Sequence, residues 1–231
     1  MRLFSRSPSI AFALALYFFA ALSLEGQSLL NSSTLSFRGG IMLFTDNGNL
    51  PDPMPVLPSV GVAADFGIFG PLRFEASLDF YGTDYDYSYP LSRAVPASIE
   101  YRSSFVVGFV LGFQALGRFD LTPSMALRVF GGPGVDLRAC FLSYNLNQND
   151  IDENSGKRIT SIVDDIAVYF WDSGRWFLPT AGIGFDYRIL PKLMLGIDGR
   201  VWFPLYRAWS GEDLAPLEGW RFSLGFKITL R

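Results

Sequence analysis

Apolar and polar residues alternate one by one over long stretches of this chain, and a period of two is the signature of β-strands. Over 72–81, Leu72, Phe74, Ala76, Leu78 and Phe80 fall on one face, and Arg73, Glu75, Ser77, Asp79 and Tyr81 on the other. The last segment repeats the pattern. Trp220, Phe222, Leu224, Phe226, Ile228 and Leu230 alternate with Arg221, Ser223, Gly225, Lys227, Thr229 and Arg231. The same reading predicts further strands near 34–45, 59–69, 101–119, 124–141, 175–190 and 193–206, eight in all. Each reaches the ~9–11 residues that a tilted strand needs to cross a bilayer.

The connections between these strands alternate in length. Phe69-Gly70-Pro71-Leu72, Asp120-Leu121-Thr122-Pro123-Ser124 and Leu190-Pro191-Lys192 are tight, whereas 46–58, 82–100, 142–174 and 207–218 are long. Membrane barrels sort their connections in this way, with short turns at one end and long loops at the other. The expected fold is therefore all-β: an eight-stranded antiparallel up-and-down transmembrane β-barrel.

The two faces of the strands differ in bulk. Phe105, Val107, Phe109, Leu111 and Phe113 line one face of a single strand. The opposite face is charged or tiny: Gly61, Ala63, Asp65 and Gly67; Gly132, Gly134, Asp136 and Arg138; Thr180, Gly182, Gly184, Asp186 and Arg188. An eight-stranded barrel has an interior just wide enough for side chains, so the small and charged face belongs inside and the apolar face outside. A soluble lipocalin-type barrel would reverse that assignment and would need a ligand cavity.

The N-terminus adds export. Arg2 and Arg6 precede an apolar run over 10–24, and small residues follow at Ala21, Ser23 and Gly26. This layout predicts a cleaved signal peptide over 1–26, with 27–231 as the barrel domain. The alternative is an uncleaved anchor helix, for which the run is short. Hydrophobic content is 49%, yet no later stretch approaches the ~20 apolar residues of a membrane helix. A net charge of -3 argues against a nucleic-acid partner. Histidine is absent and Cys140 is the single cysteine. An internal disulfide is thus impossible, and the commonest metal ligand and general base is missing. No enzyme activity, cofactor or metal is expected.

Three stretches carry a family resemblance: Val129-Phe130-Gly131-Gly132-Pro133-Gly134-Val135; the run from Ala181 through Gly182, Ile183, Gly184, Phe185, Asp186, Tyr187, Arg188 and Ile189 to Leu190, followed by Leu195-Gly196-Ile197-Asp198-Gly199-Arg200; and the alternating final strand. In these the chain resembles the small bacterial outer-membrane β-barrels, OmpA/OmpX-like and OmpW-like. The resemblance implies residence in the outer membrane, contact with its lipid, insertion by the barrel-assembly machinery, and external loops able to meet an extracellular ligand. Many members end in Phe or Trp, whereas this sequence ends Ile228-Thr229-Leu230-Arg231.

The candidate functional residues are the charges assigned to the interior. The acids are Asp65, Glu75, Asp79, Asp136, Asp186 and Asp198; the bases are Arg38, Arg73, Arg102, Arg118, Arg128, Arg138, Arg188, Arg200, Arg221 and Lys227. Charges inside a narrow barrel must be paired or wet. Two readings follow. One is a salt-bridged, closed interior, with a structural or surface-interaction role carried by the long loops. The other is a narrow porin-like channel whose basic excess favours small anions. Asp136, Asp186 and Asp198 each have an Arg two residues on, which holds carboxylates ionised and disfavours a hydrolase. In the third long loop, Asp150, Asp152 and Asn154 match the start of a calcium loop, but Ser155 and Ser161 break the pattern. Tyr81, Tyr85, Tyr87, Tyr89, Trp171, Trp176 and Trp209 cluster near strand ends, as interfacial girdles do. Residues 159–170 either extend strands above the membrane or form a short helix, and this loop is the expected site of any partner.

Overall fold

The computed structural model describes residues 34–45, 55–69, 72–144, 146–152, 155–212, 217 and 219–230. The signal segment expected over 1–26 lies outside the described residues. Among the described residues ten strands form: β1 (Thr34–Phe44), β2 (Val56–Phe69), β3 (Leu72–Ser88), β4 (Arg93–Pro96), β5 (Ser104–Asp120), β6 (Met125–Gly132), β7 (Gly134–Leu142), β8 (Thr180–Leu190), β9 (Leu193–Trp202) and β10 (Arg221–Leu230). A helix α1 (Ile159–Trp171) and a short helix α2 (Arg207–Ser210) lie in the third and fourth long connections.

The strands close into a ring of eight. β1 pairs with β2 and with β10, so both ends of the sheet meet. β2, β3 and β5 follow in order; β6 and β7 together make the next stave; β8 and β9 complete the ring. Every pairing is antiparallel, which is the up-and-down barrel the alternation predicts. Following the partners once around the ring displaces the register on β1 by about ten residues, the stagger that comes with strongly tilted strands. Proline explains one interruption. Pro133 has no N–H, so the stave breaks into β6 and β7 there, although the Pro133 carbonyl still accepts from Phe113 N at 3.1 Å.

Several expected boundaries shift at the long-loop end. β3 runs on to Ser88 and turns back as β4, pairing Tyr85↔Pro96 through Ser88↔Arg93 within the stretch expected to be a bare loop. β5 starts at Ser104 and β8 at Thr180, later than the alternation suggested. β9 ends at Trp202, short of the expected 206. Above the ring, β4, β3, β5 and β7 continue as a curved sheet. Helix α1 packs against it through Ile159, Ile162, Ile166 and Phe170, which bury against the inward-facing Tyr85, Ala94 and Val106. The helical option for 159–170 is the one realised. No described helix is long and apolar enough to cross a membrane.

The exterior is apolar as expected: Phe37, Ile41, Val60, Phe113, Val129, Ile183, Ile197, Leu224 and Phe226 are all exposed. The interior differs from expectation. Besides charged and tiny residues it holds an apolar layer in which Met42, Phe44, Tyr81, Val110, Leu178, Trp202 and Tyr206 pack as one cluster. Tyr81 and Tyr85 belong to the buried interior and not to a girdle. The bulk is admitted by glycines opposite it. A Cβ at Gly108 would run into the Tyr81 ring, so no side chain fits there. Gly108→Ala is expected to lower barrel stability by about 1–3 kcal/mol through overpacking. Urea unfolding of the refolded protein followed by tryptophan fluorescence reads this, and an unchanged midpoint would show that the ring can move aside.

Candidate functional site

The site grows from the strand period. Each inward position sits one residue from a lipid-type outward position, so eight staves aim their charges at a common axis. Glu75 on β3 is at the centre and fully buried. Its Oε1 accepts from Arg200 Nη2 at 2.6 Å, and its Oε2 accepts from Lys227 Nζ at 3.1 Å. Arg128 Nη1 lies 3.8 Å from the same Oε2. One carboxylate thereby ties β3 to β6, β9 and β10, none of which neighbours β3 in the ring.

Around it the remaining charges pair off. Arg38 donates to Asp79 at 2.9 Å and stands 3.4 Å from Asp198, which in turn lies 3.3 Å from Arg200. Arg128 Nε is 2.9 Å from Asp186, yet none of its three nitrogens makes an aligned hydrogen bond, so it acts as a charge and not as a fork. Arg118 reaches Asp186 at 3.7 Å, and Arg73 reaches Asp65 at 3.6 Å near the short-turn end. Arg200 also donates to Ser77 at 3.3 Å and Gln114 at 3.4 Å, and its guanidinium lies 4.7 Å from the Phe130 ring centroid.

A second cluster lies higher. Asp136 on β7 pairs with Arg138 at 2.5 Å and Arg221 at 2.6 Å, and accepts from the Tyr81 hydroxyl at 2.9 Å. The apolar layer of Met42, Val110 and Trp202 packs around Tyr81. Above it comes the helix. Arg138 lies 4.2 Å from the Phe170 ring, and Phe170 meets Tyr85 edge-on with centroids 5.0 Å apart. The space left beneath α1, lined by Arg138, Arg175, Arg221 and their aromatic neighbours, measures about 30 Å³. That is room for water, which needs roughly 10–15 Å³ of such space.

Fourteen of the sixteen expected interior residues occupy these clusters: Arg38, Asp65, Arg73, Glu75, Asp79, Arg118, Arg128, Asp136, Arg138, Asp186, Asp198, Arg200, Arg221 and Lys227. Arg188 does not join them. It is half-buried at the short-turn end with no ion pair among the described residues. Arg102, expected to face inward, precedes β5 and pairs with Asp84 at 2.8 Å above the ring. Gln114, Ser77 and the Tyr81 hydroxyl join the network although the candidate set is confined to charged residues. Their inward phase on β5 and β3 was the available signal.

The long loops are fastened to one another. Tyr89 donates to Asp165 of α1 at 3.0 Å, and Lys157 lies 3.9 Å from the Tyr89 ring and 3.3 Å from Asp165. Burial, together with that hydrogen bond, pushes the Tyr89 phenol well above its ordinary value. The hydrogen bonds from Ser173 and Arg175 hold the Asp172 carboxyl below the usual carboxylate range. Of the calcium-like residues, Asp150 accepts from the Asn147 N–H at 2.9 Å and Asp152 from the Ser155 N–H at 2.7 Å, so both carboxylates shape the turn. Asn154 lies outside the described residues. Among the described residues no group of three or more acids or cysteines is arranged to hold a metal.

No protein-family model matches the chain, and no curated protein matches it. Solved structures do. Neisserial surface protein A is similar at 12% identity and TM-score 0.49, covering 86% of this chain and 96% of that one. The outer membrane protein OprG of Pseudomonas aeruginosa is similar at 9% identity and TM-score 0.49, with the same coverage. Ail, the attachment invasion locus protein of Yersinia pestis, is similar at 7% identity and TM-score 0.45, covering 86% and 96%.

Proposed function

We propose that this protein is an integral outer-membrane barrel with a closed interior, a rigid base that presents its long loops outside the cell. The observation that carries the closed reading is stacking along the axis. A Glu75-centred ion network, an apolar layer around Tyr81 and Trp202, the Asp136 cluster and helix α1 follow one another from end to end. The exposed Phe, Ile and Leu of the wall support the membrane setting, since a soluble barrel of this size would bury them. Paired interior charges leave no lined path for an anion, which disfavours the channel reading.

Purified protein refolded into planar bilayers tests this. Insertion without single-channel steps is expected. Steady steps whose size changes in Arg128→Ala or Arg138→Ala would overturn the closed reading and establish a narrow pore.

A further inference from the structure

The wall opens on one side of the long-loop end. Pairing between β2 and β3 stops at Ser59↔Tyr81. Above that point β2 still follows β1 to Val56↔Leu43, while β3 still follows β5 to Tyr85↔Ser104. Pro58 stands where the two diverge and has no N–H to offer β3. The segment that returns from β4 to β5 then crosses the outer side of β3. Ala97 N bonds to the Asp84 carbonyl at 3.0 Å, Arg102 to the Asp84 carboxylate at 2.8 Å, and Ser103 to Asp86 at 2.6 Å. An open groove of about 580 Å³ lies under this crossing. Leu57, Gly82, Ile99 and Phe105 form its apolar walls, and among the described residues the charged ones lining it are Asp84 and Glu100.

We propose that this groove binds a single-chain amphiphile with a cationic head. The proposal rests on reading the barrel exterior as lipid-facing. The apolar walls continue directly into that exterior through the exposed Val56, Val60 and Phe105, so a hydrocarbon chain enters sideways without meeting water. The rim decides the head. Asp84 is already paired with Arg102, whereas Glu100 is exposed and makes no ion pair among the described residues. A cleft lined by one sign of charge against apolar walls concentrates the opposite sign. An anionic head placed there meets a carboxylate with no lining base to offset it.

The test uses the whole protein in nanodiscs of zwitterionic lipid and two photoactivatable dodecyl probes, one with a trimethylammonium head and one with a sulfonate. Labelled positions are mapped by proteolysis and mass spectrometry. The ammonium probe should label 97–105 about fivefold more than the sulfonate probe, the ratio expected of one near-surface charge pair. Glu100→Lys should reverse the preference. Ala97→Trp should remove the groove label while label on Phe37 and Ile41 of the belt persists, and Ile99→Trp serves if the first variant does not refold. Equal labelling by the two probes, or groove label undiminished by the tryptophan, overturns the proposal and leaves the lipid-facing reading intact. Absence of label on the belt as well overturns both.

Discussion

Glu75→Ala is expected to destabilise the refolded barrel by about 3–5 kcal/mol, the cost of stranding a buried charge without its partner. The size follows from position. Glu75 is fully buried and takes hydrogen bonds from Arg200 and Lys227, with Arg128 also beside it. Removing it leaves those three cations facing one another, and only Arg200 and Arg128 have second acids, Asp198 and Asp186. Lys227 has no other acid partner among the described residues. The effect should appear as a lower urea midpoint and as loss of the compact, heat-modifiable band on unboiled gels. Glu75→Gln keeps an acceptor but not the charge, so it should fall between wild type and Ala. Pairing Glu75→Leu with Lys227→Met should recover part of the loss, because replacing a whole buried ion pair by apolar groups is often neutral. A wild-type urea midpoint for Glu75→Ala would mean that the network does not lock the staves together.

That network was largely legible in the chain because two facts suffice to assign it. Period two gives the face, and the narrowness of eight strands makes that face polar or tiny. Arg38, Glu75, Asp136 and Lys227 all lie buried inside the barrel. What stayed hidden was which charges meet. Glu75 and Lys227 are brought together by the tilt and stagger of the staves, and no single strand records that stagger. The apolar layer was missed for a related reason. Met42, Val110 and Trp202 carry the inward phase, yet each is isolated along its own strand, and their meeting at one height depends on register. The loop end was the least legible part. Beyond the ring, β3, β4 and β7 pack against helix α1 instead of enclosing a shared interior, so the alternation no longer sorts an inside from an outside. The helix there is specified by Ile159, Ile162, Ile166 and Phe170 packing on Tyr85 and Val106, partners far away in sequence. Only the pairing shows that Pro133 splits a stave and that Pro58 stands where β2 and β3 part.

Ile166→Asp separates the loop end from the ring. Ile166 is fully buried between α1 and the extended sheet. An aspartate there would lie in an apolar cluster against Tyr85, Val106 and Phe170, so the helix should give up its packing rather than bury the charge. Helix propensity cannot hold it in place, because a 13-residue segment is marginal once its apolar face is lost. The ring should survive, since its closure runs through β1 and β10 and its ion network lies below the helix. The expected result is a split response. Trypsin cleavage after Lys157, Arg158 and Arg175 should rise by about tenfold or more, as local opening separates from global unfolding. The urea midpoint of the barrel should stay near that of wild type. If both fell together, α1 would be part of the same cooperative unit as the ring. The loops would then be an integral piece of the barrel and not a separable surface mounted on it.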